Sequence, residues 1–193
     1  MHAAADLPAP LAIAAELPSW CTPGSRVLDL GAGTGRNAIF LAHHGFEVDA
    51  VDASAWAIAQ LRARSAERGL AVRAEVMDAR ASAIEFSCYR VVLCTMVLHL
   101  LPPAHARQLL ERARAKAGPG TIHAIAAITT RGDFFEMRLP EERYYPEPGE
   151  ISDGYRACQW QVHREWQEER VMAERRADGG LLRNLVSFTI AGT

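Results

Sequence analysis

Three glycines at alternate positions, in Gly31-Ala32-Gly33-Thr34-Gly35, stand between a short apolar run, Arg26-Val27-Leu28-Asp29-Leu30, and a helix-like stretch that begins at Arg36. Glycine is needed where the backbone turns sharply and a ligand must lie against it with no Cβ in the way. The free N–H groups at the start of the next helix suit a carboxylate or phosphate. Asp52 closes the following apolar run, where a carboxylate can meet the hydroxyls of a ribose. Asp78 closes the run after that, and Thr95-Met96 ends the fourth. Each of these is the exit of a predicted strand, the edge at which open α/β sheets bind ligands. A plain reading stands beside the chemical one: a tight βα turn also uses glycine, and an acid such as Asp78 after a strand is often a helix cap.

The elements that must carry these residues alternate. Residues 7–17 read as a short amphipathic helix with Leu7, Leu11 and Ala14 or Ala15 on one side, ended by Pro18 and the Thr22-Pro23-Gly24 turn. Strands are predicted over 26–30, 46–51, 72–76, 89–95 and 121–128, and helices over 36–44, 54–68 and 104–117. Gly45 and Gly69 close two of the helices, Ser54 opens one, and Gly118-Pro119-Gly120 breaks the last. Strands alternating with helices imply a parallel sheet covered on both faces. Residues 130–150, with Gly132, Pro140, Pro146, Pro148 and Gly149, read as a loop or a very short helical piece, and a substrate-side loop is expected over 130–160. Two extended runs, 160–175 and 183–190, flank the turn Asp178-Gly179-Gly180 and form an antiparallel hairpin. One domain accounts for all 193 residues.

Composition sets limits. The chain is 49% hydrophobic and 23% charged, with 21 basic and 23 acidic residues and a formal charge of −2. That balance argues against a dedicated nucleic-acid binder. Of the basic residues 20 are Arg and only Lys116 is Lys, a compositional bias. Cys21, Cys88, Cys94 and Cys158 are far apart, with no metal-ligand spacing, and read as reduced cytosolic thiols rather than a disulfide framework. The opening residues have neither a basic secretory leader nor a membrane span, so a cytoplasmic location is expected.

The glycine spacing discriminates between cofactors. The dinucleotide fingerprint is G-x-G-x-x-G; here the third glycine arrives one residue early and Arg36 stands at the fingerprint's last position. No Gly-Lys-Ser/Thr follows, so this is not a P-loop. G-x-G-x-G after Val-Leu-Asp-Leu resembles the first motif of class I S-adenosyl-L-methionine (SAM) methyltransferases. That resemblance implies a three-layer, Rossmann-like α/β fold, with a mostly parallel seven-stranded sheet ending in an antiparallel hairpin, in agreement with the pattern above. It implies SAM as cofactor, S-adenosyl-L-homocysteine (SAH) as product and no metal. It places Asp29, Gly31, Ala32, Gly33, Thr34, Gly35, Arg36 and Asn37 along the cofactor loop, and Asp52 and Ala53 at the ribose. Asp78 and Ala79, with Met77 nearby, fall at the adenine edge, and Thr95 and Met96 below the sulfonium. After the fourth strand Thr95-Met96-Val97-Leu98-His99 replaces the Asp/Asn-Pro-Pro-aromatic motif of DNA amino-methyltransferases. The Pro-Cys of the cytosine enzymes and the clustered acids of metal-dependent catechol enzymes are absent as well. A small-molecule acceptor is therefore expected, with no nucleic-acid or membrane partner and a monomer or homodimer.

From about residue 20 to 190 the chain resembles the bacterial tellurite-resistance methyltransferases of the TehB type. The matching stretches are Val27 to Gly31 leading to Gly35-Arg36-Asn37, then Thr95 to His99, Pro146-Glu147-Pro148-Gly149-Glu150-Ile151 and the closing hairpin. That family usually has Cys at the position of Ala32, and lines its substrate end with a His-Arg pair and a further Arg. The resemblance maps those onto Arg175, Arg176 and Arg183, with Arg in place of the His. Guanidinium forks would hold an oxyanion such as tellurite or selenite; the same arginines could equally solvate a hairpin rim. An organic thiol, amine or carboxylate is the alternative acceptor, and a non-catalytic SAM-binding module the alternative to an enzyme. His99 serves as weak base or donor to the acceptor, or as a structural histidine. Trp56 either stacks near adenine or packs in the core; Tyr144-Tyr145 either closes as a lid or packs. His43-His44 is expected at the surface, and His123 inside a strand.

Overall fold

The computed structural model describes residues 9–81, 83–137 and 143–193. Its elements, in chain order, are α1 (Ala12–Glu16), β1 (Arg26–Leu30), α2 (Arg36–His43), β2 (Glu47–Asp52), α3 (Ala55–Glu67), β3 (Val72–Val76) and β4 (Val91–Thr95). They continue with α4 (Pro103–Ala115), β5 (Ile122–Gly132), α5 (Asp133–Glu136), α6 (Glu150–Ala157), β6 (Gln161–Arg175) and β7 (Leu181–Gly192). The strands form one sheet in the order β3-β2-β1-β4-β5-β7-β6. The first five are parallel, β7 runs antiparallel to β5, and β6 antiparallel to β7. This is the expected mixed sheet with its terminal hairpin.

All five residues of β4 are buried, as a central strand covered on both faces requires. Alternation along the strands then sorts side chains into two cores. Val27, Leu93, Ala126, Val186 and Phe188 face α1, α2 and α3, whose Ile13, Ala14, Leu41, Ile58 and Leu61 pack there. Leu28, Val92, Cys94 and Ile125 face the other side, against Leu109 and Leu110 of α4 and Ile151 and Tyr155 of α6. The result is three layers. Ser54 caps α3, its Oγ accepting from Ala57 N at 3.2 Å.

Several sequence expectations shift. Only Ala12–Glu16 of the first expected helix is α-helical, followed by a tighter turn over Leu17–Ser19 with Pro18 in it; Leu7 lies outside the described residues. β5 continues through 130–132, expected as loop, because β7 pairs with it as far as Gly132↔Asn184. The expected 130–160 loop also contains α6. Its signal is short: Ile151 and Tyr155, one turn apart, are its large buried side chains, and Glu150 Oε2 accepts from Glu147 N at 2.9 Å as the turn begins. Pro140 lies outside the described residues. Trp56 is 67% exposed, not packed in the core, since the buried stripe of α3 is Ala57, Ile58, Leu61 and Ser65. His43 and His44 are exposed, and His123 is buried with its Nδ1 2.7 Å from Tyr155 Oη.

One carboxylate braces four segments. Asp49 Oδ2 on β2 accepts from Arg26 Nη2 of β1 at 2.8 Å and from Tyr89 Oη at 2.9 Å, while Oδ1 takes Arg73 Nε of β3. Burial pushes this carboxyl up, but hydrogen bonds from Arg73, Tyr89 and Arg26 outweigh it and hold Asp49 below its ordinary pKa. A depressed native pKa adds stability that is complete above the unfolded-state value and is lost as pH falls through the native one. Asp49→Ala should therefore lower the unfolding free energy by about 2 kcal/mol at neutral pH, with the deficit shrinking below pH ~4, as read by urea denaturation across pH.

Candidate functional site

The exits of β1, β2, β3 and β4 open into a cleft of about 410 Å³. Of the sequence-predicted cofactor residues, Gly31, Asp52, Ala53, Asp78, Ala79 and Met96 line it. The glycine loop closes its inner end. Gly31 has φ +68°, and a Cβ there would stand 2.2 Å from Val97 Cγ2, so the turn exists only without a side chain. Gly35, at φ +90°, precedes α2, and a Cβ would meet Leu61 Cγ at 2.6 Å; its absence brings α2 against α3. Asp52 fixes the loop from the side: Oδ2 accepts from Gly33 N and Oδ1 from Ser54 N, each at 2.8 Å. An ionised carboxylate offers about four acceptor directions, so it can still take hydroxyl hydrogens from a bound ribose.

At the far end Asp78 is held in an Asx turn, with Oδ1 accepting from Arg80 N at 2.8 Å and both oxygens gripped by the Arg80 guanidinium. Those side-chain and backbone bonds from Arg80 hold its pKa down to about 2. No helix begins at Asp78, so it is not a helix cap. Met96 has φ +59°, a left-handed conformation that costs a non-glycine residue about 1–2 kcal/mol. Its N–H donates to Ala126 O at 2.9 Å, which ties the strained residue to β5. Such strain is typical of residues placed for function.

The remaining loop residues support the cleft without lining it. Thr34 Oγ1 accepts from Arg64 Nη1 at 3.0 Å. Asn37 and Thr95 are buried and joined to each other, Asn37 Nδ2 donating to Thr95 Oγ1 at 3.0 Å, while Asn37 Oδ1 accepts from Leu11 N at 3.0 Å. They lock α2, β4 and the incoming chain together behind the loop. Asp29 is fully buried; burial raises its pKa to about 7, with Arg36 opposing the shift and Asp52 adding to it. Arg36 is half-buried at the head of α2, its own pKa lowered by burial and by the proximity of Arg170, with Asp29 pulling the other way.

His99 sits in a short turn just past Met96, its ring 6.1 Å from Phe134 and 6.3 Å from Tyr145. Tyr144 and Tyr145 are both buried, and Tyr144 Oη donates to Glu150 Oε1 at 2.7 Å, so packing rather than a raised lid describes them. The three hairpin arginines do not converge on the cleft. Arg175 Nη1 donates to Gly179 O at 2.7 Å across the turn, Arg176 grips Asp133, and Arg183 Nη1 pairs with Glu169 Oε1 at 2.6 Å on the exposed side of β7. Asp133 also accepts from Arg183 N at 2.6 Å, so it joins hairpin to α5. The rim reading fits these positions. Arg80, Val97, Leu100 and Arg143 line the cleft without having been singled out from the sequence. Of these only Val97 had been quoted, as a member of the Thr95-to-His99 stretch and without a role. Among the described residues no cluster of three His, Cys, Asp or Glu side chains could hold a metal ion, and no helix is long and apolar enough to cross a membrane.

A buried carboxyl with a raised native pKa has a defined cost. Between the ordinary carboxylate range and about pH 7 the unfolded chain carries the Asp29 charge and the native protein does not, so stability falls as pH rises through that window. Above it the charge is buried at full cost. Asp29→Asn should raise the melting temperature, by more at pH 8 than at pH 5, in a calorimetric scan of the ligand-free protein.

Residues 27–120 match the family described as "Methyltransferase domain". The chain is 36% identical over 119 residues to the protein-L-isoaspartate O-methyltransferase of Methylorubrum populi, covering 60% of this chain and 56% of that one. It thus spans just over half the length of that curated relative. Among solved structures, TehB from Haemophilus influenzae is similar with a TM-score of 0.79 at 18% identity, covering 93% of this chain and 61% of that one. Burkholderia thailandensis 1,6-didemethyltoxoflavin-N1-methyltransferase, solved with bound S-adenosylhomocysteine, is similar with a TM-score of 0.68 at 21% identity, covering 95% and 77%. At such identities the likeness to the solved structures is one of fold. The chain has the Rossmann-like fold of the class I methyltransferases, and its residues 27–120 match the methyltransferase-domain family.

Proposed function

We propose that the protein binds SAM in the cleft at the strand exits and directs its methyl group to a small anionic acceptor, with the tellurite or selenite oxyanion as first choice. The observation that carries the donor half is the conjunction of the glycine loop, the Asp52 carboxylate fixed beside it and the Asp78 carboxylate at the opposite end of one cleft. These residues fit the group: side-chain-free backbone at Gly31, an acceptor for hydroxyls at Asp52, and apolar Ala53, Ala79 and Met96 between them. Bound SAM supplies an electrophilic methyl on a sulfonium, which an acceptor lone pair displaces in line, leaving the bonding pair on sulfur.

The chain's own part is placement. Asp52 and the loop amides would hold one end of the donor, and Met96, strained and tied to β5, would give the cleft a fixed wall beside it. An oxyanion or carboxylate acceptor carries its own lone pair and needs no general base, so orientation supplies the rate. In favourable intramolecular cases that is worth up to about 7–11 kcal/mol. The half-buried guanidinium of Arg36 beside the loop favours an anionic acceptor over a cationic one. Support for the oxyanion comes from the Gly35-Arg36-Asn37 and Thr95-to-His99 stretches shared with the tellurite-resistance type and from the fold likeness to TehB. The O-methyltransferase named above supports a second reading, an organic carboxylate.

Titration calorimetry should show SAM and SAH binding and no tight binding of NAD; the reverse pattern would overturn the class. Asp52→Ala should weaken SAH binding at least tenfold. Labelled SAM incubated with tellurite, selenite and a panel of carboxylates and thiols should yield a methylated product with an oxyanion or a carboxylate. Donor binding with no product from any acceptor would instead identify a SAM-binding module.

A further inference from the structure

On the α1-side face, beyond the cleft floor at Met96, a line of contacts leads away from the donor. Met96 packs against the core cluster that holds Phe134 and Tyr145, and the ring of His99 stands 6.1 Å from that of Phe134. Phe134 N donates to Asn184 Oδ1 at 2.9 Å. Asn184 on β7 lies opposite Arg170 on β6 in the ladder. The Arg170 guanidinium lies over the Phe188 ring at 5.6 Å, which places it on this same face.

Two features of this spot call for a ligand. Asn184 is 1% exposed, and its amide Nδ2 has no hydrogen-bond partner among the described residues. A buried donor left without an acceptor costs about 1–3 kcal/mol, and buried polar groups are otherwise nearly always satisfied. Beside it, Arg170 spends Nε and Nη2 on Glu168 Oε2, at 3.1 and 2.7 Å, and keeps its Nη1 edge unengaged among the described residues. Arg36, at the head of α2, is within electrostatic reach of Arg170. The guanidinium edge that Glu168 leaves over and the unsatisfied amide donor lie opposite each other in the β6–β7 ladder and lack an acceptor between them. A small anion with several oxygens supplies it; a neutral thiol or an amine does not.

We propose that Asn184 Nδ2 and the free edge of the Arg170 guanidinium hold the oxygens of the methyl acceptor, a small oxyanion or carboxylate, and so determine substrate class. The inference rests on the donor assignment above and moves anion recognition from the hairpin tip, where Arg175, Arg176 and Arg183 are occupied, to the middle of β6 and β7. Glu168, held between Trp166 Nε1 and the guanidinium, fixes which edge of Arg170 is left for the anion.

The test titrates selenite and, separately, acetate into the free and the SAH-loaded protein at low salt. Either anion should bind the wild type, and selenite alone or acetate alone tells oxyanion from carboxylate. Arg170→Gln should weaken anion binding at least tenfold with SAH affinity unchanged. Asn184→Asp keeps the acceptor for Phe134 N but removes the free donor, and should do the same; Arg68→Gln, an equal charge loss on the far end of α3, should not. Anion affinity unchanged in both β6–β7 variants, or no anion binding by the wild type, overturns the proposal. Failure of SAH to bind the wild type would sink the donor assignment instead, and the titration of the free protein would still decide the anion site.

Discussion

The absent Cβ of residue 31 governs the rest of the site. With a methyl group there, Val97 Cγ2 would lie 2.2 Å away and either the Val97 side chain or the β1 exit would have to move. Because the two strand ends do pass that closely, the loop can fold over the sheet edge, Gly33 N can reach Asp52, and a cleft remains between β1, β3 and β4. The constraint is steric, and it comes before any chemistry. Asp52 then does two things at once, since the oxygens that suit a ribose also tie the loop to the start of α3.

Behind this edge the protein accepts two costs. Asp29 is a carboxyl held where its charge is penalised, and Met96 is a residue in a backbone conformation that suits glycine. Both adjoin the cleft, and both are held by bulk structure: Asp29 by the buried core of β1, Met96 by its bond to β5. Stability is supplied farther away, by the Asp49 brace across β1, β2 and β3 and by two apolar cores.

Much of this was legible in the residue order, for physical reasons. Strands β1 and β3 fall on 26–30 and 72–76 as expected, because a short apolar stretch in one and strict Val-Arg-Ala-Glu-Val alternation in the other leave little choice of period. That Asp52, Asp78 and Met96 would line one cleft could be read because strand exits share one edge in a parallel sheet, so a position in sequence fixes a position in space. The β6–β7 hairpin was legible from Asp178-Gly179-Gly180, but the destinations of its arginines were not. Whether Arg176 meets a ligand or Asp133 depends on α5, four residues long and placed by tertiary packing. Arg170 and Asn184 escaped notice for the same reason: they are fourteen positions apart in sequence and become neighbours only through the register of the last two strands. Helix α6 was hidden by the prolines and glycine immediately upstream, which signal a turn and carry no information about the helix beyond it.

The outermost strand also bears on how these molecules behave in company. β6 is fifteen residues long and has a free side, an open invitation for another chain to extend the sheet. Its sequence withdraws that invitation: Arg164, Glu165, Glu168, Glu169, Arg170, Glu174 and Arg175 distribute charge of both signs along its length. A stranger zipping onto that flank would have to strip water from a guanidinium or a carboxylate at about every second step. Among the described residues no further strand covers this edge, so charge of both signs is what discourages fibre-like stacking there.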